Sequence, residues 1–146
     1  MTYFEVPGQP QSKARARTFY HKQAGRVVSM TPNETVLYEN LIKTSFLASE
    51  SKQTFFDKEP LEMFITAYFP IPKSTTKKDR QLIKERKLFP TKKPDADNIA
   101  KVICDALNGV AYHDDTQIVK MEVRKVYTEN EPKVAVSIGL FDGYPF

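Results

Sequence analysis

The chain has 146 residues, 40% of them hydrophobic, with ten Phe, seven Tyr and no Trp, which is enough for one core in one domain. No apolar run approaches the ~20 residues that cross a bilayer. The start, Met1-Thr2-Tyr3-Phe4-Glu5-Val6, lacks the basic and apolar regions of a signal peptide, and the single cysteine, Cys104, excludes an internal disulfide. The expectation is therefore a soluble, cytoplasmic protein without a membrane partner. The net charge of +4 is unevenly placed: basic residues gather in 13–26 and 73–93, while five aspartates fall within 95–115. A polyanion would be drawn to the flanks and repelled at the centre, unless the central acids hold a cation.

Residues 2–6 alternate as a short strand, and Pro7-Gly8-Gln9-Pro10 turns the chain. The polar, basic stretch 11–30 offers at most a weak strand or hairpin around 26–30. Thr31, Pro32 and Glu34 form a helix start, with Thr31 as N-cap. The helix they open should run to about residue 51 and bury Val36, Leu37, Leu41, Ile42, Ser45 and Phe46. After Pro60, residues 61–69 read as a strand with Leu61, Met63, Ile65, Ala67 and Phe69 on one side. Pro70 and Pro72 end it, and the lysine- and arginine-rich stretch 73–93 follows, with a short helix over 77–87.

A second principal helix spans 98 to about 108, with Ile99, Val102, Ile103, Ala106 and Leu107 as its apolar stripe. Cys104 falls on that apolar side as a small buried hydrophobe, and Gly109 stands where a left-handed cap belongs. Residues 117–127 alternate through Val119, Met121, Val123 and Tyr127. Glu129-Asn130-Glu131-Pro132 then turns into 134–140, which reads as the second arm of an antiparallel hairpin. The predicted architecture is α+β, a single domain with a mixed or antiparallel sheet packed with two principal helices.

Pro94-Asp95-Ala96-Asp97-Asn98 opens the second helix. Asp97 reads as the N-cap, with Asp95 just outside it in extended conformation. Lys101 returns to the same edge one turn on, and Asp114-Asp115 precedes the next strand. A helix folding back on that strand would bring this second acidic pair beside the first. Five carboxylates drawn together cost stability without a cation, and oxygen ligands of this kind suit Mg²⁺ or Mn²⁺. Such a metal activates water against a phosphodiester, while a lysine at the rim steadies the phosphate. His113 fits an exposed loop histidine better than a ligand, and Asp105 fits a partner for a basic side chain better than a site residue.

Other chemistries lack their signatures. There is no G-x-x-x-x-G-K-[ST] or G-x-G-x-x-G, and one cysteine with two histidines excludes the usual zinc clusters. A D-x-D phosphatase would set its acids directly after an apolar strand, whereas these follow Lys92-Lys93-Pro94.

The run Lys93-Pro94-Asp95-Ala96-Asp97-Asn98-Ile99-Ala100-Lys101, then Asp105-Ala106-Leu107-Asn108-Gly109, then Asp114-Asp115-Thr116-Gln117-Ile118-Val119, resembles the RusA family of Holliday junction resolvases, typically carried by prophages. The basic segment Gly8-Gln9-Pro10-Gln11-Ser12-Lys13-Ala14-Arg15-Ala16-Arg17 is also similar to that family. The resemblance implies a homodimer that binds four-way DNA junctions in recombination and repair and nicks two strands symmetrically with Mg²⁺ or Mn²⁺. It places the motif aspartates on Asp95 and Asp97, the motif lysine on Lys101 and the later essential aspartate on Asp115, with Asp114 its acidic neighbour; the expected metal ligands are Asp95, Asp97 and Asp115, with Asp114 assisting. The stretch 73–91 departs from the compact pattern of that family. Lys13, Arg15, Arg17, Lys92 and Lys93 are the candidate phosphate contacts. A metal nuclease acting on flaps and a non-catalytic junction-binding protein are the competing readings.

Overall fold

The computed structural model describes residues 1–13, 17–30, 33–49 and 55–143. In chain order the elements are β1 (Thr2–Pro7), β2 (Arg17–His21), β3 (Arg26–Met30), α1 (Asn33–Leu47), β4 (Leu61–Pro70), α2 (Lys77–Lys84), α3 (Ala96–Leu107), a 3₁₀ turn (Asp115–Gln117), β5 (Ile118–Thr128) and β6 (Lys133–Leu140). The fold is α+β, as the sequence predicts. The predicted cap Thr31 lies outside the described residues, as does the end proposed for its helix near residue 51.

Strict alternation makes β4 the centre of the sheet. Leu61, Met63, Ile65, Ala67 and Phe69 are buried while the residues between them stay half-exposed. The main sheet runs β1-β6-β4-β5. β4 pairs antiparallel with β6 and parallel with β5, and β1 pairs antiparallel with β6. This corrects the expected β5–β6 hairpin, because β4 lies between those two strands. The physical reason is the crossover. A parallel neighbour requires a long connection, usually a helix, and α3 supplies it by packing its apolar stripe and delivering β5 to one edge of β4. The residues between β5 and β6 then pass the end of β4 and bring β6 to the other edge.

Both larger helices contribute to one core. Ile99, Val102, Ile103, Ala106 and Leu107 of α3 are buried, as predicted. Helix α1 is turned from its predicted face: it buries Thr35, Tyr38, Ile42 and Phe46, while Leu37 remains 68% exposed and Val36 and Leu41 are exposed as well. Tyr38 replaces the leucines inside because it carries more apolar surface at the same helical spacing as Ile42 and Phe46. Phe46 meets Phe4 of β1 edge-to-face, with ring centroids 5.5 Å apart. Each such buried side chain contributes about 1.5–3 kcal/mol over exposure. On β5, Val123 and Tyr127 pack against the core, but Val119 and Met121 are exposed at the sheet edge.

Helix α2 confirms the short helix expected near 77–87. The Thr76 hydroxyl accepts from the Asp79 N–H at 3.1 Å, and the helix buries none of its residues. Ile83 of α2, with Leu88 and Phe89 after it, lines a hollow with Thr66, Tyr68 and Val126 on the sheet face away from the core.

Candidate active site along helix α3

The acids are arranged by the face of α3 that looks away from the core. The helix starts two residues earlier than predicted. Asp95, not Asp97, is the N-cap, in extended conformation (φ −76°, ψ 161°), and Asp97 sits in the first turn. The Asp95 side chain caps no backbone N–H of the helix and instead accepts from the Asn98 side-chain amide at 2.6 Å. Its carboxyl is held below the usual aspartate range, first by its own backbone N–H, then by Asn98 and Asp97, with the Lys125 ammonium adding attraction. The positive end of the helix dipole favours the same ionised state. Asp97 is exposed.

From Asp97 the face continues at four-residue steps through Lys101, which is exposed, to Asp105. Asp105 is paired, as the sequence predicts. The Lys13 ammonium lies 2.5 Å from its carboxylate and 3.9 Å from Glu39, and it titrates above the ordinary lysine value because of the hydrogen bond to Asp105. The candidate phosphate contact Lys13 is thus engaged on α3. Lys92 and Lys93 are exposed just before the helix, and Arg15 lies outside the described residues.

Asp114 and Asp115 sit at the other end of α3. The Asp115 N–H donates to the side-chain oxygens of Asn108 and Asp114, both at 3.0 Å, and Asp114 also accepts from the Thr116 hydroxyl at 2.9 Å. Both Asp114 oxygens are therefore occupied in capping the 3₁₀ turn. Burial raises the Asp115 carboxyl above its usual range, and the nearby Asp114 and Asp105 charges push the same way. The expectation that the second acidic pair lies beside the first is corrected here. Asp115 neighbours Asp105 and Asn108, whereas eight residues of helix, a rise of about 12 Å, separate Asp97 from Asp105. Among the described residues no three His, Cys, Asp or Glu side chains converge as a metal cluster.

Three further residues position the site by hydrogen bonds. Tyr112 is fully buried, and its hydroxyl donates to the Cys104 carbonyl at 2.8 Å, which pins the 108–115 loop to α3. Gln117 accepts from the His113 and Asp114 N–H groups and donates to the Phe56 and Glu59 carbonyls. Lys125 of β5 donates to the Lys92 carbonyl at 2.6 Å and stands 5.2 Å from the centre of the Phe69 ring, so it ties the loop before Asp95 to the sheet. The signal for Tyr112 was its place after Gly109-Val110-Ala111. Nothing in the sequence singled out Lys125 from the other lysines. Cys104 is buried, and burial raises its thiol to about 12, in keeping with a packing role. His113 is exposed, 2.6 Å from Asp57 and edge-on to Phe55.

Two carboxylates with one lysine between them, laid on the outside of a helix, leave the site open to a large substrate rather than enclosing a small molecule. The comparisons with known proteins agree. Residues 7–139 match the profile of endodeoxyribonuclease RusA, and the chain is 34% identical to the uncharacterized protein YqaN of Bacillus subtilis (strain 168) over 137 residues, covering 92% of this chain and 93% of that one. The chain belongs to the RusA endodeoxyribonuclease family.

Proposed function

We propose that this endodeoxyribonuclease resolves four-way DNA junctions by paired, symmetric nicks during recombination and repair, acting as a homodimer with Mg²⁺ or Mn²⁺. The observation that carries this reading is the head of α3. Asp95 and Asp97 stand exposed within two residues of each other, Asp95 is held ionised, and lysines lie on either side. Mg²⁺ keeps several waters and needs only one or two protein carboxylates beside substrate phosphate, so this pair suits such a cation without a third ligand. When bound, the cation would neutralise phosphodiester charge and ease ionisation of the attacking water.

The chain's own residues then divide the work. Asp95 and Asp97 hold the cation, and Asn98 and Lys125 keep Asp95 charged and oriented. Lys101 steadies the phosphate undergoing attack. Asp115, at the other end of α3, is the further carboxylate assigned to the reaction outside the pair that holds the cation, with Asp114 assisting through the cap that fixes the Asp115 backbone. Arg15, Arg17, Lys92 and Lys93 contact the DNA backbone, giving salt-sensitive affinity with little sequence information, and Lys13, bonded to Asp105, holds the start of that basic segment on α3. A two-fold junction calls for two equivalent sites on one symmetric body, which a C₂ dimer supplies.

The test is cleavage of a synthetic mobile four-way junction by purified protein with Mg²⁺, Mn²⁺ or EDTA. Paired, metal-dependent nicks that spare linear duplex are expected. Equal cleavage of flaps would replace the junction assignment with a broader branched-DNA nuclease. Tight junction binding without nicking in either metal would make the acids a matter of fold.

A further inference from the structure

We infer that the β2–β3 ribbon is a DNA-docking arm that lies along a duplex arm of the substrate, away from the row of acids on α3. The inference rests on the nuclease reading above and assigns it a second contact surface. The first observation is where the charge sits. Of the 22 Lys and Arg residues, five (Lys13, Arg15, Arg17, Lys22 and Arg26) lie in residues 6–33, together with none of the 18 Asp and Glu. The rest of the chain therefore carries seventeen basic against eighteen acidic side chains. Without this segment the protein would be close to neutral, with its acids gathered where DNA must approach. Together with the basic stretch 73–93, this acid-free segment supplies the long-range attraction for a polyanion.

The second observation is its form. β2 and β3 pair only with each other, as a two-stranded sheet separate from the main one. Lys22 and Arg26 flank its turn and are exposed. Tyr20 and Val27, directly opposite each other in register, are 62% and 63% exposed. A ribbon with strands of five residues is about 16 Å long, and a two-stranded ribbon fits the major groove of B-DNA, which is about 12 Å wide. Tyr20 and Val27 supply apolar contact and the basic side chains reach the phosphates.

The third observation is the anchor. Lys13 is bonded to Asp105 on the acid-bearing face of α3, and β2 begins four residues later, within about 14 Å of chain. The ribbon is thus rooted on the site's own face. A second copy of the ribbon is a poor partner, because two segments with five positive charges and no negative ones repel.

The test measures junction affinity in EDTA across a salt series for K22E/R26E and for K77E/K78E. The second variant makes the same charge change at exposed positions of α2. The ribbon variant is expected to lose at least about tenfold in affinity, with the log–log salt slope falling by about 2, while nicking at saturating junction stays unchanged. The α2 variant should lose less than about threefold. A neutral K22Q/R26Q pair, intermediate in affinity and with a wild-type melting curve, guards against misfolding. Equal losses in the ribbon and α2 variants, or no loss in either, overturn the inference. A change in sedimentation of the ribbon variant with affinity intact makes the ribbon a contact between copies and overturns it as well. Wild-type protein that binds neither branched nor linear DNA overturns the nuclease reading and this inference together.

Discussion

The two ends of α3 carry the same side chain in opposite electrostatic conditions. At the head, Asp95 is exposed and its charge is supported by N–H groups, an amide and a lysine. At the tail, Asp115 is half-buried, and both burial and two neighbouring acids oppose its charge. The head is suited to present charge to a cation at any physiological pH. The tail stores repulsion that the Lys13 ammonium, bonded to Asp105, partly offsets. An aspartate motif therefore does not specify one environment, because the helix spreads its members over two.

The sharpest way to break this contrast is at the head. Asp97→Asn should lower junction nicking by at least about a hundredfold, the scale for loss of a group that stabilises developing charge. Binding should stay equal or tighten, as read in parallel by nicking gels and mobility shifts. Full nicking by a folded variant would remove Asp97 from the chemistry.

At the tail the largest effect is structural. Tyr112→Ala removes a fully buried ring and its hydrogen bond to Cys104, and should cost about 3–5 kcal/mol in a urea titration. Lys125→Met keeps the apolar stem but frees the loop before Asp95. A drop of about tenfold in Mn²⁺ affinity, as for loss of an outer-shell partner, with little change in melting temperature, would place its effect on the head alone.

The pH dependence should differ in sign between the ends. Asp95 is shifted down in the fold, so its contribution is present above the unfolded pKa and is lost as pH falls through the folded one. Asp115 is shifted up, so its contribution is present below the unfolded pKa and is lost as pH rises through the folded one. In EDTA, Asp115→Asn should thus gain stability relative to wild type as pH rises from the acid range to neutrality. Denaturation midpoints at pH 4 and pH 7 that moved the other way would mean the tail is not repulsive. The smallest effect belongs to Leu37→Ser on the exposed side of α1, within about 0.5 kcal/mol, against about 2–5 kcal/mol for Ile42→Ala on the buried side.

Periodicity alone was enough for β4, for the stripe of α3, for the buried Cys104 and for the left-handed Gly109 (φ +75°). It also drew notice to Asp95, Asp97, Lys101 and Asp115, because acids at a helix start and before a strand stand out locally. What periodicity lacks is a neighbour. It shows that β5 and β6 are strands, but only the α3 crossover decides that β4 separates them. On α1 two apolar faces competed, and the aromatic packing of Tyr38 and of Phe46 against Phe4 chose between them. The start of α3 lies two residues earlier than its periodicity predicts because the Asn98 amide bonds Asp95 locally and Lys125, from β5, tethers the loop before it. The distance between the two acidic groups was likewise out of reach of the sequence: a helix has a fixed rise, but where the following loop docks depends on Tyr112 finding the Cys104 carbonyl. Local chemistry determined which residues are equipped for function, and packing decided which of them stand together.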